Sequence, residues 1–309
     1  MNDLPSIDAE TLKRVLPLEA AIDALQAAFG ADRLPSSPLR TRVGTTEGDL
    51  LLMPAHGPHG AGVKLVTLTP ANPERGLPFV QAVYVLFDGR TQTPRAIVDG
   101  TALTTLRTAA ISGLATRFLA NPGASALVLF GAGTQARAHL QAMLAVRPVS
   151  RVTVVSRGRE RADVLVELAR RAGVDAGVGS PEAVAGADLV CTCTTSTEPV
   201  LEGRLLRPGA HVNAVGAYTP AMRELDDEAV RRARVVVETR EVAMAEAGDL
   251  LIPMAEGIVG PEHVLADLAE LVRGAPVRRG PHDITVFKSV GAAFEDLVVA
   301  TAAAERLGA

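Results

Sequence analysis

The period of the hydrophobic positions changes several times along the chain. Over residues 8–29 (DAETLKRVLPLEAAIDALQAAF) apolar side chains recur every three or four positions and Gly30 closes the run, the pattern of one or two amphipathic helices. Residues 33–48 are rich in Pro, Arg, Gly and Thr and read as loop with short strand. Four short runs follow: DLLLMPA, GVKLVTLT, FVQAVYVLFD and PRAIVDG. They are apolar or alternating and are punctuated by Gly, Pro and Asn, which predicts a mostly antiparallel sheet accompanied by a helix.

From Leu103 the texture is different. Residues 103–120 read as a helix, ended by Asn121-Pro122-Gly123. Residues 125–146 (SALVLFGAGTQARAHLQAMLAV) read as a buried strand, a Gly-rich turn and a helix. RVTVVSR predicts a second strand and ERADVLVELARRAG a second helix ending at Gly173. Further apolar strands are expected at 187–194, 210–216 and 234–239, and FEDLVVATAAAERL is again helical. Strands alternating with helices mean βαβ units and a parallel sheet.

The bulk numbers narrow the function classes. A chain of 309 residues makes one large domain or two ordinary ones, with no internal repeat and no low-complexity linker. Lys plus Arg against Asp plus Glu is 31 − 35 = −4, which is no footprint for nucleic acid or an anionic membrane. There is no Trp and there are only 2 Tyr, so no aromatic platform for stacking bases is on offer. No uninterrupted run of about 18 apolar residues occurs, and the opening MNDLPSIDAE is acidic and polar, unlike a signal peptide. With 2 cysteines a disulfide framework is ruled out, and a reducing, cytoplasmic location is expected.

Gly131-Ala132-Gly133-Thr134-Gln135-Ala136 has the form G-x-G-x-x-A. It follows an apolar strand directly and opens a helix, the context in which such a turn binds a dinucleotide. The first Gly makes the tight turn, the second lets the backbone approach a pyrophosphate, and the small third residue allows close helix–strand packing. The free N–H groups and positive dipole end of the helix then face the phosphates. The middle of the chain therefore reads as a Rossmann domain. NAD enzymes usually carry Asp or Glu about 20 residues further on, at the end of the second strand. Here that place holds Ser156-Arg157-Gly158-Arg159. Arg157 suits a 2′-phosphate and Ser156 adds a hydrogen bond, which favours NADP(H). Glu160 stands nearby and leaves NAD(H) open.

Three basic residues lie outside that domain: Arg42 in RTRVG, Lys64 in GVKLVT and Arg107 in LTTLRTAA. Arg is suited to bidentate recognition of a carboxylate, and Lys supplies a point charge or a proton. Taken singly each reads as a surface charge, although Lys64 sits in an apolar run. Other groups offer less. His56 and His59 form an H-x-x-H spacing in a Gly/Pro loop without a third ligand or a helix. Cys191 and Cys193 alternate with Thr on a buried strand, the setting of structural rather than redox thiols. Asp226-Asp227-Glu228 reads as a helix N-terminus favoured by the dipole.

Beyond these local readings, a series of segments in order resembles the ornithine cyclodeaminase/mu-crystallin family. They are residues 51–55 (LLMPA), 62–78 (GVKLVTLTPANPERGLP), 103–115, 129–136, 214–228 (AVGAYTPAMRELDDE), 247–253 (AGDLLIP) and 286–297 (VFKSVGAAFEDL). The resemblance implies an α/β fold: a doubly wound parallel Rossmann sheet over residues 117–289, plus an α+β substrate-binding and dimerisation domain from residues 1–116 and 290–309. It implies a homodimer. It implies that Arg42, Lys64 and Arg107 surround the carboxylate of a 2-amino or 2-imino acid, and that Lys288, Ser289, Val290 and Gly291 lie near the nicotinamide end of the cofactor. Lys64 is then the candidate proton source.

Two positions depart from the family's cyclodeaminases. These carry Glu where this chain has Leu51, which cannot pair with a distal ammonium. They and the archaeal alanine dehydrogenases carry Asp where this chain has Tyr218; the mu-crystallin-like ketimine reductases lack it too, and their loop continues in a similar RELDDE run. Leu51, Met53 and Tyr218 are expected to line the substrate pocket. The expected activity is NAD(P)H-dependent chemistry at the C–N bond of a small 2-imino or 2-amino acid, for example pyrroline- or piperideine-2-carboxylate. Cyclodeamination of ornithine or lysine is one alternative, and a mu-crystallin-like NADPH or small-ligand binding protein is another.

Overall fold

The computed structural model describes residues 4–58 and 60–308. The first three residues of the acidic opening, and His59 of the H-x-x-H spacing, lie outside the described residues. In chain order the first elements are β1 (Ser6–Ile7), α1 (Ala9–Val15), α2 (Leu18–Gly30), β2 (Thr41–Thr45), β3 (Gly48–Gly57), β4 (Gly60–Leu68), β5 (Val80–Asp88), β6 (Pro94–Asp99) and α3 (Gly100–Leu119). Then follow β7 (Ala126–Phe130), α4 (Thr134–Val146), β8 (Arg151–Val155), α5 (Arg159–Arg171), β9 (Asp175–Val178), β10 (Leu189–Thr192), β11 (His211–Ala214) and α6 (Asp227–Arg232). The chain ends with β12 (Arg234–Val237), α7 (Arg240–Glu246), α8 (Gly248–Ala255), β13 (Val264–Asp267), α9 (Leu268–Val272), β14 (Thr285–Lys288) and α10 (Ala293–Leu307).

The chain forms two compact units, residues 1–110 with 292–309, and residues 111–291. The divisions fall inside α3 and just before α10, not at 116/117 and 289/290. A continuous helix carries no change of composition to mark a boundary, so the first division has no signature in the sequence.

In the first unit the six strands run in the order β1-β6-β5-β4-β3-β2. All neighbours are antiparallel except β1, which pairs parallel with β6. The expected single or double helix at the start is double: Asp8 caps α1 by accepting from the Thr11 N–H at 2.8 Å, and Pro17 stands at the N-cap of α2. Proline has no N–H to give a continuing helix and suits its first turn. One stripe of α2, Ile22, Leu25 and Phe29, is fully buried. The Phe29 ring meets Phe294 of α10 edge-on at 5.2 Å. Along β4 the inner positions Gly62, Lys64, Val66 and Leu68 are buried and lie under α10, while Ala61, Val63 and Leu65 face outward.

The second unit is an eight-stranded, wholly parallel sheet in the order β13-β12-β14-β11-β10-β7-β8-β9. Strand winding reverses between β7 and β10, the switch point of a Rossmann fold. Helices on both faces bury the strands completely: β7, β10, β11 and β14 have no exposed residue. Strands β9, β13 and β14, with four residues each, and helices α7, α8 and α9 go beyond what the hydrophobic period predicts, since segments that short span barely one period. The end of α3 is closed by a side chain from the next helix–strand loop: the Arg147 Nη2 donates to the carbonyls of Thr116, Arg117 and Ala120 at 2.6, 3.0 and 2.9 Å. Among the described residues no helix is long and apolar enough to cross a membrane.

Candidate active site

The charged centre of the first unit is built across strands. Met53 faces Lys64, and Lys64 faces Tyr84, in one row of the sheet's inner side. Lys64 is 1% exposed. Its Nζ lies 2.9 and 2.7 Å from the two carboxylate oxygens of Asp296, in the first turn of α10. Beside it the Arg107 Nη1 donates to Glu295 at 3.0 Å, and Arg107 Nε stands 3.6 Å from Asp296. A helix N-terminus is a favourable place for two adjacent carboxylates. Burial brings the Lys64 ammonium down to about 8; Asp296 opposes this by charge and hydrogen bond, while Arg107 and Arg40 push further down. A lysine poised there can hold or release a proton near neutral pH.

Tyr84 completes the row. Its ring leans over Gly62, where a Cβ would come within 2.1 Å of the phenol oxygen. The hydroxyl is buried without a hydrogen-bond partner among the described residues. Burial, and then the Asp296 charge, hold its pKa well above the ordinary phenol value.

Of the three basic residues singled out in the sequence, Lys64 and Arg107 come together and Arg42 does not. Arg42 is 57% exposed on β2 and gives a two-pronged ion pair to Asp49 of β3, with Nε at 2.8 Å. The arginine whose field Lys64 feels beside that of Arg107 is Arg40, two residues earlier and half-buried. The register explains the exchange. Thr41 pairs with Leu52, so the chain just before it approaches Met53 and the Lys64 row, whereas Arg42 pairs with Leu51, one rung further out. Leu51 and Met53 are both buried on the inner face, at 5 and 3% exposure.

In the second unit the Gly-rich turn follows β7 and opens α4, as its spacing predicts. Gly131 has φ +96°, and a Cβ there would meet the Cys193 carbonyl oxygen at 2.6 Å, so only glycine fits. Around Gly133 the space is open, with nothing within 4 Å of a notional Cβ. Gly133 caps α4, Thr134 is its first residue, and Ala136 is fully buried against the sheet. The Gln135 Oε1 is buried and lacks a partner among the described residues. This cradle fits a dinucleotide pyrophosphate: a backbone that can be approached, free helix N–H groups and an unused polar atom. At the end of β8 the Ser156 Oγ accepts from the Gly158 N–H at 3.3 Å, and Arg157 is exposed with no hydrogen bond or ion pair among the described residues.

The loops at the carboxyl ends of the strands are held by buried carboxylates that the sequence did not reveal as a group. Glu224 accepts from the Thr192 hydroxyl, the Thr194 N–H and hydroxyl, and the Gly216 N–H at 2.6–2.8 Å. Burial, then the Asp249 charge, push its carboxyl up. Asp249 in turn accepts from the N–H groups of Glu224 and Leu225 and pairs with Lys288 at 2.9 Å. The AGDLL stretch thereby acquires a structural role. The Lys288 Nζ donates to the Ala217 carbonyl at 2.5 Å and is fully buried, so this lysine pins the 216–225 loop. Half-buried Tyr218 rides on the loop so fixed. Glu238 accepts from the Ser289 hydroxyl and the N–H groups of Val290 and Gly291, shaping the turn after β14.

The remaining side chains are structural. Asp226 caps α6 by accepting from the Ala229 N–H at 2.7 Å. Burial pushes the Cys191 thiol up to about 12 and raises Cys193 as well, which makes both poor nucleophiles.

Residues 7–309 match the ornithine cyclodeaminase/mu-crystallin family. The ketimine reductase mu-crystallin of Rattus norvegicus is 39% identical over 290 residues, covering 92% of this chain and 88% of its own. The structure of Thermococcus litoralis Delta(1)-pyrroline-2-carboxylate reductase in complex with NADH and L-proline aligns with a TM-score of 0.93 at 34% identity, over 98% of this chain and 97% of that one. An archaeal alanine dehydrogenase dimer with bound NAD aligns equally well, at a TM-score of 0.93 and 32% identity over 98 and 95% of the two chains. With a match from β1 to the C-terminus and relatives this similar, the chain belongs to the ornithine cyclodeaminase/mu-crystallin family.

Proposed function

We propose that this chain is an NAD(P)H-dependent oxidoreductase that reduces the C=N bond of a small 2-imino acid, such as pyrroline- or piperideine-2-carboxylate, to the amino acid. The observation that carries the reading is the buried Lys64 ammonium, gripped by Asp296 and lying in the fields of Arg107 and Arg40. Lys64 and Arg107 already face Asp296 and Glu295, and a substrate carboxylate entering there is drawn by the field of the same cations. Arg107 and Arg40 form the clamp, and Lys64 holds a proton for the imine nitrogen. In the reduction the π bond of C=N opens, the carbon gains a hydrogen with its electron pair, and the nitrogen gains one proton. When bound, the nicotinamide supplies that hydride. Buried Leu51 gives no partner to a second ammonium, which argues against ornithine and lysine. The Thermococcus litoralis relative holds L-proline, the chemical product of reducing pyrroline-2-carboxylate.

NADPH is the preferred reductant in this reading, because exposed Arg157 at the end of β8 suits a 2′-phosphate and that position carries no Asp or Glu. The active form is a homodimer. Outward-facing Val43, Val83 and Ile97 of the first unit's sheet are 37–46% exposed, beside half-buried Leu52, Leu65 and Val85. A contiguous apolar sheet face of this kind marks an interface, and the archaeal relative is a dimer. Two free thiols fit a cytoplasmic enzyme.

The test is oxidation of NADPH and NADH with pyrroline-2-carboxylate, with piperideine-2-carboxylate, and with pyruvate plus ammonia or methylamine. Turnover of a cyclic imine is expected, faster with NADPH. No oxidation with any of these substrates rejects the reading.

A further inference from the structure

We propose that Asp296 is a positioning residue for this reduction: from the first turn of α10 it holds the Lys64 ammonium charged and in place, so that Lys64 remains a proton donor. The inference rests on the imine-reductase reading and adds a residue to it.

The geometry separates two adjacent carboxylates by task. Glu295 takes the Arg107 Nη1 at 3.0 Å, whereas Asp296 takes the Lys64 Nζ at 2.7–2.9 Å with both oxygens. All four side chains are buried, with at most 7% exposure. Asp296 is the one hydrogen-bond acceptor that Lys64 has among the described residues. An ammonium has three donors, so others remain for a substrate.

The surroundings of Lys64 act in opposite directions. On β3 the neighbour is Met53, which is neutral, and on β5 it is Tyr84, whose hydroxyl stays protonated. From α3 comes Arg107 and from the segment before β2 comes Arg40, both of which disfavour a second positive charge. Burial disfavours it most of all. Asp296 supplies the opposing attraction, by charge and by hydrogen bond. Without that carboxylate, burial and the charges of Arg107 and Arg40 are left to drive the proton off Lys64, and a neutral amine is no acid for an imine nitrogen.

The experiment uses the full chain and two readouts. The sequence has only three lysines, Lys13, Lys64 and Lys288, so a protein labelled with 15Nζ-lysine gives a spectrum in which Lys64 is readily assigned. Its titration is followed in wild type and in Asp296→Asn, and the pH profile of kcat/KM for imine reduction is measured on both. Reduction requires protonated Lys64, so the rate declines as pH rises through the pKa of that group, near 8 in wild type. In Asp296→Asn both the titration and the basic limb are expected to move down together by one pH unit or more, which lowers the rate at pH 8 about five-fold or more. An unmoved titration and an unmoved limb overturn the proposal. A wild type that titrates as expected but reduces no imine rejects the functional reading alone. If Asp296→Asn does not fold, Asp296→Glu decides: its charge should keep the limb near that of wild type while the displaced ammonium lowers kcat, and a kcat equal to wild type overturns the positioning role.

Discussion

Lys64 and Asp296 are separated by 232 positions in the sequence and by 2.7 Å in the fold. The last helix returns to the sheet built by the first 110 residues and delivers a carboxylate to a lysine in the middle of β4. Taking two ions out of water costs several kcal/mol each, and well-packed apolar residues often hold such a contact at least as well. The pair is therefore a poor device for stability, and its place is explained by chemistry.

Lys64 and Asp296 should therefore depend on each other for stability. Lys64→Met alone leaves Asp296 buried without its main partner and should cost about 3–5 kcal/mol. Lys64→Met combined with Asp296→Leu should recover most of that loss while imine reduction stays abolished. Urea unfolding of the two single variants and the double variant measures the coupling. Additive losses would mean that the two side chains do not depend on each other for stability.

The exchange of Arg42 for Arg40 supplies a second prediction. Arg40→Gln should raise KM for the imino acid about ten-fold or more, the worth of one charge-assisted hydrogen bond. Arg42→Gln breaks an exposed ion pair with Asp49 and should leave KM within about two-fold. Steady-state kinetics on both variants decides between them, and the reverse ranking would return Arg42 to the clamp.

These two arginines also mark how far the sequence could be read. Arg40 and Arg42 are two apart in an extended segment and so point to the same side; nothing local distinguishes them, and only the pairing of Arg42 with Leu51 moves it off the Lys64 row. Gly131 was legible because one turn geometry demands it, and the turn lies between an apolar strand and a helix. Lys64 was noticeable because a charge in an alternating apolar strand must be accounted for. Glu295 and Asp296 were not, since two acids near the start of a helix look like solvated first-turn residues, and their partners lie about 190–230 positions away. Glu224, Glu238 and Asp249 were hidden for the same reason: each is bonded to loops from other strands, which a local pattern does not contain.

Two buried histidines make the fold sensitive to acid. His139 donates or accepts between Gln135 and Ser112, and His211 faces Thr285. Burial lowers them to about 4 and about 3 from 6.5. Below pH 6.5 the unfolded chain binds protons that the folded chain refuses. The stability they support is thus present above 6.5 and is lost as pH falls toward 4 and 3, roughly 3 kcal/mol for His139 alone by pH 4. Urea midpoints should be flat from pH 7.5 to 6.5 and then fall. Glu224, with its raised carboxyl, has the opposite sign, so wild type and variants are compared at each pH. A slope that persists in His139→Gln/His211→Asn would assign the acid sensitivity to other groups.

The cofactor preference rests on Arg157, which is exposed at the end of β8 and makes no bond within the described residues. Such an arginine contributes nothing to the fold, so replacing it tests ligand binding with little cost in stability. A charge-assisted hydrogen bond to a phosphate is worth about 1.5–3 kcal/mol, or roughly 10–150-fold in binding. Arg157→Asp removes that bond and repels a 2′-phosphate, while its carboxylate can accept from a ribose hydroxyl. The expected result is a kcat/KM for NADPH lowered about a hundred-fold or more, with that for NADH unchanged or improved. Equal losses with both cofactors would mean that the substitution disturbs the turn held by the Ser156 hydroxyl and the Gly158 N–H. No loss with NADPH would mean that the arginine meets no phosphate, and NADH would then be the natural reductant.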